Sequence, residues 1–168
     1  ENTKEQLRKV LQPFMLRRTK EQVASDLPPK TETVLYCEMG TEQRRIYETY
    51  RHIYRDKILG LIEEQGIQKS QFTILQGLMK LRQICNSPAI LKEAETSTAN
   101  SVKLDELTRE LSENIGSHKA LVFSQFLGML SLIKQKFTEM NIPFVCFDGS
   151  TSAVDRETAV QQFQQNED

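Results

Sequence analysis

"KALVFSQFLGMLSLIKQKFTEMNIPFVCFDGSTSA", Lys119–Ala153, decides the fold. Its first eight residues form a short apolar run that reads as a strand buried on both faces. Phe126, Leu130, Ile133, Phe137 and Met140 then recur at three- and four-residue steps, the spacing of one helix face. "PFVCFD" is a second buried strand, closed by Asp-Gly-Ser-Thr. Strand–helix–strand at these lengths predicts a βαβ unit with a parallel pair. Upstream, Lys103 to Ile115 aligns Leu104, Leu107, Leu111 and Ile115 as a helix. Downstream, Ser152 to Gln164 makes a last helix with Val160 and Phe163 inward. The expectation is an α/β fold of two or three strands with flanking helices.

A helical module stands in front of it. Thr41 is placed to cap a long helix carrying Ile46, Tyr50, Ile53, Tyr54, Ile58 and Leu61, interrupted at Gly66. A second helix, about Ser70 to Cys85, is apolar on nearly every side, as befits the inside of a bundle. Asn86-Ser87-Pro88 ends it. Nearer the N-terminus, "TKEQLRKVLQ" is helical up to Pro13, Thr19 caps a short turn, and Pro28-Pro29 force an extended exit. "TETVLYCEM" is a third, less regular strand candidate. "KEAETSTANS", Lys92–Ser101, is the best loop in the chain. Four segments result: 1–40, 41–91, the loop 92–100, and the α/β part 101–168. Two strands leave a sheet's apolar face and edge uncovered, so the chain is expected to be a piece of a longer protein or one that completes itself on a partner.

Composition narrows the classes. The 168 residues are 38% hydrophobic and 27% charged, which suits a globular protein and excludes a disordered one. No apolar run approaches the roughly 18 residues of a membrane span, so no membrane partner is expected. Cys37, Cys85 and Cys146 are odd in number and set in apolar surroundings, which predicts buried free thiols in a reducing compartment. His52 and His118 have no partner at ligand spacing, so no metal site is expected. Residues 1–82 hold 15 Lys/Arg against 11 Asp/Glu, and residues 83–168 hold 7 against 12. That asymmetry is compatible with a basic face for nucleic acid without requiring one.

Few residues offer chemistry. No Gly-Lys pair occurs, so the phosphate loop of a nucleotide hydrolase is absent, and no catalytic Ser/His or Cys/His couple can be argued. In "DGSTSAVDRE", Gly149 permits a sharp turn, and Ser150, Thr151 and Ser152 offer hydroxyls. Ser152 with Asp155 fits a capping box. The unpaired amides of such a helix start favour a phosphate, but the hydroxyls can equally serve only as caps, with Asp155 competing against any anion. Asp148 alone is not a phosphoacceptor site, which needs further acids nearby. Ser124 and Gln125 end the other strand, where ligand contacts gather in open α/β sheets, although helix capping explains them too. Arg17, Arg18 and Lys20 are candidates for phosphate or carboxylate contacts, or else a solvated face.

Five stretches, in order, carry a resemblance: "LQPFMLRRTKEQVASDLPPK", "LRQICNSPAIL", "SVKLDEL", "KALVFSQFLGMLSLI" and "FDGSTSAVDRETAVQQF". Together they resemble the switch/sucrose-non-fermenting (SWI/SNF-type) ATPases, double-stranded-DNA translocases and chromatin remodellers of helicase superfamily two. Ser87 stands where that family more often has His, and Gln12 where Arg is common.

The resemblance implies a fold and a role. Family members have two RecA-like lobes, with ATP in the cleft between them and duplex DNA crossing both. This chain resembles the inter-lobe segment, the helical insertion of lobe two, and the first half of that lobe: a partial RecA-like parallel sheet. Its partners would be double-stranded DNA, lobe one and the rest of lobe two, and in addition nucleoprotein or protein. Residues Ser124, Gln125, Gly149, Ser150, Thr151 and Arg156 would contact the DNA backbone, and Arg17, Arg18 and Lys20 would contact phosphate or the other lobe. ATP and magnesium belong to the parent, a DNA-dependent ATPase. With neither the Walker motifs nor the arginine finger, this polypeptide alone is expected to be inactive. The compartment would be bacterial cytoplasm or eukaryotic nucleus. The competing expectation is a helical protein-interaction module, Thr41 to Cys85, presenting Tyr47, Tyr50 and Tyr54.

Overall fold

A computed structural model of the chain describes residues 2–24, 26–91 and 100–165. The expected loop at 92–100 lies, but for Asn100, outside the described residues. Seven α-helices are described: α1 (Asn2–Leu11), α2 (Lys20–Val23), α3 (Thr41–Gln65), α4 (Ile67–Asn86), α5 (Val102–Asn114), α6 (Leu127–Glu139) and α7 (Ala153–Gln165). Short 3₁₀ turns follow α1 (Gln12–Phe14) and α4 (Pro88–Leu91). The chain divides into two compact units, Glu1–Leu35 and Tyr36–Asp168.

In the first unit, α1 leaves Leu7, Val10 and Leu11 exposed. At Thr19, the expected cap of α2, the Gln22 side chain reaches back to accept the Thr19 N–H at 3.1 Å.

The second unit begins with a helical hairpin. One residue, Gly66 at φ 79°, separates α3 from α4, and a left-handed φ is what glycine supplies without steric cost. The helices pack closely at Gly77, where an added Cβ would stand 2.9 Å from a Tyr54 ring carbon. Ile46, Ile84 and Leu91 form the hairpin's core, with Tyr47 and Tyr50 against it. The tyrosines therefore serve packing inside the hairpin. The all-round apolar α4 is not enclosed, however. Phe72, Leu75, Leu78 and Met79 remain exposed.

Buried polar bonds fasten this hairpin to α5. Gln43, 3% exposed, donates from Nε2 to the Ile84 carbonyl (2.7 Å) and accepts the Val102 N–H on Oε1 (3.3 Å). Ser101 caps α5 by accepting the Leu104 N–H (3.1 Å) and donates to the Asn86 carbonyl. Beyond it, Met129, Ile133 and Phe137 of α6 make a second core with Leu104, Leu107 and Leu111 of α5, plus Val122, Phe126 and Ile142.

The expected parallel sheet is not there. Among the described residues there is no β-strand: "KALVFSQ", "PFVCFD" and "TETVLYCEM" are irregular chain. The flanking helices form within two residues of their expected bounds, and α6 lies between the first two runs as a crossover helix would. What is missing is the ladder. A helix bonds its own backbone locally, whereas a strand exists only through hydrogen bonds to another strand. The first run keeps a trace of strand character. Val122, Ser124 and Phe126 are half-buried, while Leu121 (69% exposed) and Phe123 (87%) face out. One face of the run docks on α6 and the other is uncovered, so it is not buried on both. The second run is entered through a Schellman turn at the end of α6. Asn141 adopts φ 55°, its N–H donates to the Thr138 carbonyl (3.2 Å), and the Ile142 N–H donates to the Phe137 carbonyl (2.9 Å). Phe144 then meets Phe137 edge-on, with centroids 5.8 Å apart.

Three further expectations change. In α7, Ala159 is the buried residue and Val160 is exposed. Gly40, not Thr41, is the residue that caps α3. The thiols are not deeply buried: Cys37 and Cys85 are half-buried and Cys146 is exposed, because the run carrying it has no covering layer. All three are free.

Candidate nucleic-acid interface

Two polar clusters gather the expected site residues of the second unit. The first is the turn between the Phe144–Asp148 run and α7. The Asp148 carboxylate oxygen Oδ1 accepts both the Ser150 N–H (2.9 Å) and the Ser150 hydroxyl (2.6 Å). Those two bonds, the hydroxyl's first, hold the Asp148 carboxyl below its ordinary range, with smaller help from Lys134 and Arg156. Thr151 Oγ1 accepts the Asp148 N–H (2.9 Å). Arg156 folds back from α7, its Nη2 donating to the Asp148 carbonyl (2.9 Å) and its Nε to the Thr151 carbonyl (3.1 Å). Its guanidinium lies 6.0 Å from the Phe147 ring centroid. Ser152 caps α7, accepting the Asp155 N–H (3.2 Å) and donating to the Asp155 carboxylate (2.7 Å).

This geometry separates the roles that the sequence left open. Ser152 is the cap. Ser150 and Thr151 shape the turn, and Ser150 is exposed. The site has the donors an anion needs, and the chain's own carboxylate sits on them. A Cβ added at Gly149 would meet nothing within 4 Å, and the residue does not use a left-handed φ, so its backbone freedom is not what makes the turn.

The second cluster is at the start of α6. Ser124 Oγ accepts the Phe126 N–H (3.1 Å), closing the turn into the helix. Gln125 Oε1 accepts from Arg82 Nη2 of α4 at 2.6 Å, and the Arg82 guanidinium lies 5.4 Å from the Phe126 ring centroid. Arg82 and Gln125 share a groove of about 470 Å³ with Met79, Gln83, Ile90 and Leu127. Arg17, Arg18 and Lys20 belong to the other unit and are exposed.

Sequence reading missed Arg82 and Gln43. Nothing local signals Arg82, whose partner lies 43 residues on. Gln43 had a signal: it stands three residues before Ile46 and four before Tyr47, on the face that is buried. Lys119 was also overlooked. Its ammonium donates to the Phe163 (2.6 Å) and Gln164 (3.2 Å) carbonyls, where the negative end of α7 favours a cation.

Comparison with known proteins shows which family the chain belongs to. Residues 1–90 match the SNF2-related domain, and residues 102–168 match the helicase conserved C-terminal domain. The chain belongs to the SNF2-related family. It is 36% identical over 155 residues to an uncharacterized ATP-dependent helicase of Mycoplasma pneumoniae, covering 90% of this chain and 14% of that protein. It is 33% identical to the putative ATP-dependent helicase/translocase YwqA of Bacillus subtilis, over 96% of this chain and 18% of the relative. The ISWI chromatin-remodeling complex ATPase ISW1 of Saccharomyces cerevisiae is 33% identical, over 94% of this chain and 15% of its own length. The chain thus spans less than a fifth of each of these relatives.

The sequence has no Gly-Lys phosphate loop, and no three His, Cys, Asp or Glu side chains are grouped for a metal among the described residues. Nor is any helix among them long and apolar enough to cross a membrane.

Proposed function

We propose that this chain is part of an ATP-driven double-stranded-DNA translocase and contributes a grip on the DNA backbone. The single observation that carries the reading is the helicase C-terminal match over residues 102–168, which contains the Asp148–Arg156 turn with its exposed Ser150 and Arg156. Ser150 donates its amide and hydroxyl to a carboxylate at the surface. These bonds lie at the surface in competition with water, so a phosphate can take over the donors as Asp148 turns to solvent. Arg156 holds the turn by two carbonyls and keeps a positive charge beside the anion's path. Such a grip reads backbone and not sequence, and it weakens with salt. Alternate gripping and release as the two lobes close and open around ATP would move the duplex.

The test is DNA binding by the full-length protein. Ser150→Ala with Thr151→Ala is expected to weaken duplex affinity about tenfold, equally for unrelated sequences, in anisotropy titrations. Unchanged affinity and unchanged translocation remove the turn from the interface.

The exposed Phe72, Leu75, Leu78 and Met79 of α4 favour a second reading, a helical face that docks a partner protein. Crosslinking of the full-length protein to DNA and to co-purifying proteins separates the two. Crosslinks from α4 to protein with none from residues 148–156 to DNA would favour the second.

A further inference from the structure

The groove between α4 and the start of α6 contains a polar pair that joins the helical hairpin to the proposed DNA grip. Arg82 stands near the end of α4 and is exposed. One of its nitrogens bonds the Gln125 amide oxygen at 2.6 Å, and its plane lies near the Phe126 ring, 5.4 Å from the centroid. Phe126 is itself packed against the Met129, Ile133 and Phe137 core, so the ring offers a fixed platform. Among the described residues, no Asp or Glu lines this groove.

An arginine has five N–H donors and no acceptor, so it can hold only the oxygen of a glutamine amide. The other end of that amide, the NH₂, is thereby turned away from Arg82. We infer that Arg82 is a positioning residue for Gln125: by taking the amide oxygen, it fixes the NH₂ as an outward donor to a DNA phosphate. The inference rests on the DNA-binding reading above. It makes the hairpin, and not only the helicase segment, a determinant of the grip. A guanidinium held by both a hydrogen bond and a ring loses little further freedom when DNA arrives.

The experiment is a double-mutant cycle in the full-length protein, reading duplex affinity by anisotropy across a salt series. Arg82→Ala and Gln125→Ala are each expected to weaken binding about fivefold, and the double variant no more than Gln125→Ala alone. Arg82→Lys, still a pure donor, recovers most of the loss. Arg82→Gln, which can present either end of its own amide, does not. The slope of log affinity against log salt stays unchanged in Arg82→Ala, because the group that touches phosphate is the neutral Gln125. A slope reduced by about 0.9 would make Arg82 itself the phosphate ligand and overturn the inference. Additive losses, or full affinity in Arg82→Ala, overturn it as well. If Gln125→Ala binds normally while the Ser150/Thr151 variant is weakened, the positioning role fails and the DNA reading stands. If neither variant is weakened, the DNA reading fails first.

Discussion

The two apolar runs around α6 are richer in hydrophobic residues than the α3–α4 hairpin, yet they are the less completely packed. The hairpin closes on itself: Gly66 turns it, Gly77 lets the helices approach, and Ile84 is wholly buried, although Phe72, Leu75, Leu78 and Met79 stay exposed. The runs at 119–125 and 143–148 are docked on one side only, with Phe123 left 87% exposed. Each helix satisfies its backbone within itself and needs neighbours only for its side chains. A strand needs neighbours for both. Hydrophobicity alone was therefore an incomplete guide to burial in both regions, and a helix keeps its form despite that where a strand does not.

The largest expected effect sharpens this contrast directly. Ile84→Ala should cost about 2–5 kcal/mol in urea denaturation of the chain, through lost burial and the cavity left behind. Phe123→Ala removes a larger side chain, yet should change stability by less than about 0.5 kcal/mol. Comparable losses from the two would mean that the outer face of the first run is covered after all.

A smaller effect tests how the hairpin closes. Gly77→Ala gains roughly 1 kcal/mol of helix propensity but drives a methyl into Tyr54. Overpacking of this kind costs about 1–3 kcal/mol, so a net destabilisation is expected in thermal melts. Tyr54→Leu in the same background should recover part of it. Stabilisation by Gly77→Ala alone would show that the helices separate easily.

The smallest effect concerns the Asp148 turn. Its folded-state pKa is depressed, so its contribution is fully present above the unfolded value, about 3.9, and is lost as pH falls below that toward the folded value. The Ser150 amide resonance should therefore shift with an apparent pKa below 3.9, while the hairpin signals stay constant. A midpoint at or above 3.9 would mean that Ser150 does not hold the carboxylate in solution.

The cap at the start of α7 was legible in the chain. "DGSTSAVDRE" announced hydroxyls at a helix start, and Ser152 with Asp155 proved to be the cap. Two things were not. The Asp148 carboxylate on the Ser150 amide and hydroxyl depends on the local path of the turn, which residue types alone leave free. Arg82 and Gln125 are 43 residues apart, and nothing local to either names the other. For the fold, periodic stripes located α3 to α7 within a few residues. The strand reading failed because an apolar run records a preference for burial and not the presence of a partner.

By itself the sequence determined the helices, the Ser152 cap of α7 and the family, because these rest on spacing within a few residues and on ordered blocks of motif. Only the tertiary structure decided that Gln43 joins α4 to α5, that Arg82 meets Gln125, and that the apolar runs around α6 form no ladder. Contacts between distant residues depend on where whole elements come to rest, and that is settled by packing, not by any local pattern.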